Sequence, residues 1–139
     1  MKLNKYFYLQ EFVPQEVFEL FGKKSLMFVD ERCIKTALML RKMYGEIHIN
    51  DWLWGGDRSN SGFRHPYSKV GRLFSPHKSG KAIDPKFIEA DVDYVKEDIR
   101  NDSMFFYKNM GISRIEEGVP HLHIDFFNNG CEDIKFFYP

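Results

Sequence analysis

Two histidine-containing segments carry the side chains of this sequence that are best suited to bind a metal ion. In the first segment His77 precedes Asp84 by seven residues, and in the second, farther along the chain, His121 and His123 form a His-x-His pair. Imidazole nitrogens and a carboxylate oxygen are typical zinc ligands, and three protein ligands leave the fourth tetrahedral position open to water. The spacing therefore predicts an open, catalytic zinc site. The alternative is a set of unrelated polar residues.

The residues around the His-x-His pair alternate in polarity with the period of a β-strand. The polar set and the apolar set of residues 121–127 are, respectively, His121, His123 and Asp125, and Leu122, Ile124 and Phe126. Successive side chains of a strand point to opposite faces, so the three polar residues share one face. The pattern predicts a sheet with one polar, site-facing side.

At these positions the chain resembles the zinc D-Ala-D-Ala carboxypeptidases and phage endolysin peptidases, which share a core with lysostaphin-type and hedgehog-type domains. Three blocks carry the resemblance: Ser-Gly-Phe-Arg at 61–64, the Ser-x-His-x-x-Gly-x-Ala-x-Asp run at 75–84, and His-Ile-Asp at 123–125. The blocks agree with the family in order and spacing, and the resemblance covers roughly residues 30–127. It implies a hedgehog/DD-peptidase-like fold and one zinc ion per chain.

The resemblance also implies a role for each site residue. The metal ligands would be His77, Asp84 and His123, with His121 near the metal-bound water. Asp125 would orient His123 or a neighbouring ligand by a hydrogen bond.

Two residues of the resembling blocks are expected to act on the substrate. Arg64 corresponds to a family arginine that faces the substrate carboxylate or the developing oxyanion, where a guanidinium forms charge-assisted hydrogen bonds. The alternative for Arg64 is an ordinary surface arginine. Ser75 would hydrogen-bond the substrate or steady the loop that bears His77.

The position of the catalytic base is where the sequence departs from the family. Carboxypeptidases of this group often have a glutamate three residues before the last ligand, and Pro120 occupies that position here. His121 matches another branch of the family, in which an imidazole takes the proton from the metal-bound water and returns it to the leaving amine. Glu116 and Glu117 remain alternative bases, because a turn at 118–120 can fold either one toward the metal.

Composition restricts the classes of protein to which the chain can belong. Its 139 residues suit one domain, in which we expect a lead-in at 1–29 and a catalytic core at 30–139. Twenty basic and 20 acidic residues balance, so no global field attracts nucleic acid. No apolar run is long enough for a signal peptide or a membrane span. The chain is therefore expected to be made in the cytoplasm, without a membrane partner.

Hydrophobic periodicity and capping residues predict an α+β domain, with a small antiparallel sheet and helices packed on one face. The predicted helices are 14–21, a longer one from Asp30 to Gly45, one that begins after Asp91, and 103–110. The predicted strands are 46–50 with an extension to 54, 81–84, and three antiparallel strands at 112–116, 121–127 and 133–138. Residues 55–80 are expected to form irregular loops.

The function predicted by the resemblance is zinc-dependent hydrolysis of peptidoglycan peptide bonds, by a D-Ala-D-Ala carboxypeptidase or an endolysin-type endopeptidase encoded by a bacteriophage. The protein would then act on the bacterial cell wall after its release from the cytoplasm, with the help of a holin, or would be carried in a phage virion. One alternative is a non-catalytic virion structural or binding protein that retains the peptidase fold. A zinc nuclease is a further alternative, which the zero net charge disfavours.

Overall fold

The computed structural model describes residues 1–139, all of the chain, and has a mixed α+β fold. Its four α-helices are α1 (Gln15–Phe21), α2 (Glu31–Tyr44), α3 (Val92–Asn101) and α4 (Ser103–Met110). Its six strands are β1 (Ile47–His48), β2 (Ala82–Ile83), β3 (Lys86–Phe87), β4 (Arg114–Glu116), β5 (Ile124–Asp125) and β6 (Lys135–Phe137). Short 3-10 turns lie at Leu9–Glu11, Gly22–Phe28, Trp52–Trp54 and Pro76–Ser79.

The strands form two sheets. The larger sheet has the order β2-β5-β4-β6, in which β5 is antiparallel to both of its neighbours and β6 is parallel to β4. The smaller sheet is the antiparallel pair of β1 and β3. The predicted α+β class is confirmed, whereas the larger sheet is mixed and not purely antiparallel.

The last strand is the main correction to the predicted topology. A three-stranded antiparallel tail would place β6 beside β5, but β2 already occupies that edge of β5, with Ile83 opposite Ile124. The free edge of the sheet is the far side of β4, and β6 pairs there in parallel, with Phe136 opposite Ile115. The position of β2 thus decides where the end of the chain packs.

The predicted helices are confirmed, and their ends have the expected caps. The carboxylate of Asp30 accepts a hydrogen bond from the backbone of Arg32 at the start of α2, and the carboxylate of Asp91 accepts one from the backbone of Asp93 at the start of α3. Gly45 and Gly111 follow the last residues of α2 and α4 with positive φ angles of 84° and 80°, which glycine adopts without strain.

Two local predictions are wrong. Residues 52–54 form a 3-10 turn and do not extend strand β1. The strand predicted over 121–127 forms only at β5, so His121 and His123 precede it. Strand β3, which begins after Pro85 and pairs with β1, was not predicted from the sequence. Residues 55–75 contain no helix or strand, so the predicted irregular loop is confirmed up to the 3-10 turn that bears His77.

The apolar faces of α2, α3 and α4 pack against one side of the larger sheet. Ile83, Ile115 and Ile124 lie in a single buried cluster with residues from these helices. Phe7 and Phe12 belong to the same cluster, so the segment predicted as a lead-in contributes to the core of the domain. No helix of the fold combines the length and the apolarity needed to cross a bilayer.

Candidate metal centre

His77 lies on the 3-10 turn and is 2% exposed. Its Nδ1 donates a hydrogen bond to the carbonyl oxygen of Gly62 at 2.8 Å, which leaves Nε2 directed at Asp84. The turn ends at Gly80 with a φ of 68°, where a β-carbon would collide with the carbonyl oxygen of Phe28. Only glycine therefore allows the chain to turn here and to continue into β2.

Asp84 follows β2 directly and lies between the two histidines. Its Oδ1 is 3.1 Å from Nε2 of His77 and 2.9 Å from Nδ1 of His123. Its Oδ2 is 3.5 Å from a terminal nitrogen of Arg64. The backbone N–H of Asp84 donates to the carbonyl of Ser61 at 2.7 Å, so this backbone contact anchors the carboxylate to the long loop.

His123 immediately precedes β5, and its side chain is oriented by the ion pair of Asp125 and Arg114. Its Nε2 lies 3.0 Å from Oδ2 of Asp125, which is fully buried. Arg114 on β4 donates to both oxygens of the same carboxylate, at distances from 2.8 to 3.1 Å. Arg114 and Asp125 are opposite each other in the β4–β5 register, so the pairing of the strands creates this support.

The three side chains meet the geometric requirements of a metal site. One potential ligand atom from each of His77, Asp84 and His123 lies within 4.8 Å of the other two. At zinc–ligand distances of about 2.0 Å, two ligand atoms of a tetrahedral site are about 3.3 Å apart, so small movements are sufficient. In both imidazoles the nitrogen away from the centre has an oxygen acceptor, which is the usual support of a metal-ligating histidine.

The charges of the centre stabilise one another. Although burial opposes the charge of Asp84, hydrogen bonds from His123 and His77 hold the pKa of that carboxyl well below its usual range. Burial likewise opposes the charge of Asp125, while His123 and Arg114 lower its pKa. Burial opposes the positive charge of His123, but its hydrogen bonds to Asp125 and Asp84 favour that charge and raise its pKa to about 9. Both ring nitrogens of His123 have a carboxylate acceptor, at 2.9 and 3.0 Å, which favours the imidazolium form in the metal-free protein.

The side chains of His77, Asp84 and His123 line a cavity of about 720 Å³. Arg64, Ser75 and His121, predicted to act on the substrate or the water, also line it. The Nε of Arg64 donates to the carbonyl of Asn60 at 2.7 Å, which fixes the guanidinium beside Asp84. Arg64 thus contacts a predicted ligand as well as the cavity.

The candidate bases differ in their surroundings. His121 is exposed and Glu116 is half-buried, and both line the cavity. Glu117 does not line it, because its carboxylate accepts hydrogen bonds from Arg100 at 3.1 and 2.8 Å. Two of the three bases considered from the sequence therefore face the site.

Arg114 is a site residue that the sequence analysis missed. It lines the cavity, supports Asp125, and has its guanidinium carbon 4.4 Å from the ring centre of Phe137. A signal was present in the sequence, because Arg114 and Glu116 lie on either side of the apolar Ile115. At positions i and i+2 the two polar residues share one face of β4. The partner of Arg114 became evident only with the strand register.

Comparisons of the chain with protein-family models, with curated proteins and with solved structures find no match. The family resemblance therefore stays a prediction from the motifs. The side chains of the site form a buried His-Asp-His group that could hold a metal ion, and this group lies in the wall of the 720 Å³ cavity.

Proposed function

We propose that this protein is a zinc-dependent peptidase that hydrolyses peptide bonds of bacterial peptidoglycan. The observation that supports it most is the convergence of two oriented imidazoles on one oxygen of Asp84, at 3.1 and 2.9 Å, in the wall of a cavity lined by arginines. The resemblance rests on the spacing of these residues along the chain, and the geometry adds the distances between their side chains.

The donor set favours zinc over the other common divalent ions. Two nitrogens and one carboxylate oxygen suit zinc, whereas magnesium and calcium prefer sites built of oxygen. Three protein ligands leave a position for water, as in catalytic sites. When bound, zinc would polarise the scissile carbonyl and lower the pKa of a water molecule.

Residues of the chain would supply the remaining steps. His121, or Glu116 in the same cavity wall, would accept a proton from the attacking water and deliver it to the leaving amine. Arg64 lines the cavity and has its Nε bound to Asn60 and one terminal nitrogen directed at Asp84, so its other terminal nitrogen would bind an anionic group of the substrate. Asp125 and Arg114 would hold His123 in its ligating orientation.

The composition of the cavity wall supports a peptide substrate with a free carboxylate. Three arginines line it, at positions 64, 72 and 114. Leu73, Phe74 and Tyr138 also line it and are between 71% and 84% exposed, so they offer apolar contacts to the side chains of a peptide. Stem peptides of peptidoglycan combine small apolar side chains with carboxylates.

Mass spectrometry of purified peptidoglycan fragments, incubated with the zinc-loaded protein, tests this proposal. We expect products that have gained one water, with new termini that identify the bond and distinguish a carboxypeptidase from an endopeptidase. His123→Ala protein under the same conditions is the control and should produce none. A protein that holds zinc and cleaves no fragment would support the non-catalytic virion protein instead.

A further inference from the structure

A second cavity, of about 590 Å³, shares no lining residue with the first. It is bordered by the 3-10 turn at Leu9–Glu11, helix α2, strand β1 and the turn at Trp52–Trp54. Its charged lining residues are Lys5, Arg41, Glu11, Glu46 and Asp51. The proposed peptidase activity uses none of them.

Glu11 is the most unusual residue of this cavity. It is 2% exposed and makes one side-chain hydrogen bond, in which Oε2 accepts from the backbone N–H of Tyr8 at 3.0 Å. Its Oε1 has no hydrogen-bond partner, and Glu11 takes part in none of the ion pairs of the chain. Burial raises the pKa of Glu11 to about 7, against the opposing effect of the Tyr8 hydrogen bond. A buried carboxylate that accepts one hydrogen bond and has no ion-pair partner in the chain is stabilised by a cation that binds it.

The two cations of the cavity are also without an ionic partner in the chain. Neither Lys5 nor Arg41 forms a salt bridge or a side-chain hydrogen bond. Both lie over the ring of Tyr6, with Nζ of Lys5 at 5.3 Å and the guanidinium carbon of Arg41 at 4.6 Å from its centre. Charges of opposite sign therefore line one cavity without pairing with each other.

The remaining acidic residues already have partners. Glu46 Oε1 is 2.8 Å from Nε2 of His48. Asp51 Oδ1 accepts from the backbone N–H of Arg58 at 2.8 Å. Glu11 is consequently the carboxylate of this cavity whose environment most favours a ligand.

We propose that the second cavity binds a small zwitterion, a free amino acid or short peptide, whose ammonium group binds Glu11 and whose carboxylate binds Arg41 and Lys5. A ligand with both charges satisfies groups that the fold keeps apart, and a guanidinium can bind a carboxylate through two parallel hydrogen bonds. The indole of Trp54, 56% exposed, supplies an apolar wall for the side chain of the ligand. This proposal is independent of the peptidase function.

Titration with L-leucine, followed by the amide signals of the protein in nuclear magnetic resonance spectra, tests the proposal. We expect saturable shifts at Glu11, Arg41 and Trp54. N-acetyl-L-leucine lacks the ammonium group and L-leucinamide lacks the carboxylate, so each should bind at least about tenfold more weakly. Equal binding of either analogue, or the absence of saturable shifts with L-leucine, would overturn the proposal.

Two variants locate the ligand. Glu11→Gln and Arg41→Gln should each weaken L-leucine binding by about tenfold or more, whereas Glu16→Gln, a change on the exposed face of α1, should have no effect. The side chain of Arg41 makes no hydrogen bond in the fold and forms no ion pair, so Arg41→Gln remains informative if Glu11→Gln does not fold. Binding that persists in His123→Ala separates this cavity from chelation of zinc by the amino acid, and binding that is lost there would contradict the proposal.

Discussion

The candidate metal centre and the second cavity both bury carboxylates, but the groups that surround these carboxylates differ. At the metal centre Asp84 and Asp125 each accept hydrogen bonds from at least two side chains, including the shared imidazole of His123. In the second cavity Glu11 accepts one backbone hydrogen bond and forms no ion pair. The same class of side chain is therefore held ionised in one region and has its pKa raised in the other.

This difference indicates how each region is prepared for a ligand. Pairing within the metal centre holds the ligand atoms in position, so a metal ion needs little rearrangement to bind. In the second cavity Glu11, Lys5 and Arg41 form no ion pair within the fold, so their charges stay available to a molecule from outside. Substitutions at the metal centre should therefore have large effects that spread through its network, while those at the second cavity should have small and local ones.

The largest effect is expected from His123→Ala. The wild-type protein should retain about one zinc per chain after exhaustive dialysis, and the variant should retain almost none, because it loses a ligand and leaves Asp84 and Asp125 without their shared partner. Metal analysis measures the result. His48→Ala, which changes a histidine that lines the second cavity, is the matched control and should keep its zinc. Full retention of zinc by His123→Ala would remove that residue from the ligand set.

The next effect concerns the base. His121→Ala should keep the metal, because His121 is not a ligand, and should lower kcat by roughly a hundredfold. Glu116→Gln tests the other candidate in the cavity wall, and Glu117→Gln should change little because Glu117 pairs with Arg100. If Glu116→Gln abolishes turnover and His121→Ala does not, the base is Glu116.

A smaller effect is expected from Arg114→Gln. The substitution removes the cation that holds Asp125, so His123 is less firmly oriented and the affinity for zinc should fall by about ten- to a hundredfold. Competition with a chromogenic chelator measures that affinity. Arg100→Gln removes an arginine that pairs outside the cavity, and it should leave the affinity unchanged. An equal effect of both variants would indicate a general loss of stability.

The charge of His123 predicts a pH dependence of metal binding. Its pKa of about 9 means that zinc must displace a proton at neutral pH, so affinity should rise between about pH 7 and 9 by up to about tenfold per pH unit. Calorimetry in two buffers of different ionisation enthalpy should detect the released proton. Binding enthalpies that do not depend on the buffer would contradict the protonation of His123.

A further effect is expected in the pH dependence of the stability of the fold, from Glu11→Gln. The pKa of Glu11 is raised from 4.5 to about 7 by folding, so its stabilising contribution is complete below pH 4.5 and is lost as the pH rises through 7. Chemical unfolding at pH 5 and pH 8 should show a decrease for the wild type, of at most about 1.4 kcal/mol per pH unit from this group, that is reduced in Glu11→Gln. Identical pH profiles would show that Glu11 titrates normally.

Local patterns in the sequence were sufficient to predict much of the fold. The caps Asp30 and Asp91 located two helices, and the period of two in residues 121–127 agrees with a structure in which Leu122, Ile124 and Phe126 are buried in the core. Pairing between strands was harder to predict, because it depends on edges that distant segments occupy. The parallel position of β6 is the clearest example, since β2 lies on the edge of β5 that a hairpin would have used.

The sequence by itself determined which side chains could form a metal site, because the spacing of His77, Asp84 and His123 is a local property of two segments. Only the tertiary structure brought those segments within hydrogen-bonding distance and placed Arg114 beneath Asp125. It alone also gathered Lys5, Glu11 and Arg41, which no motif connects, around one cavity. The reason is physical: the burial of Glu11 and the pairing of Asp125 depend on contacts between residues far apart in the chain, and these contacts form only when the core packs.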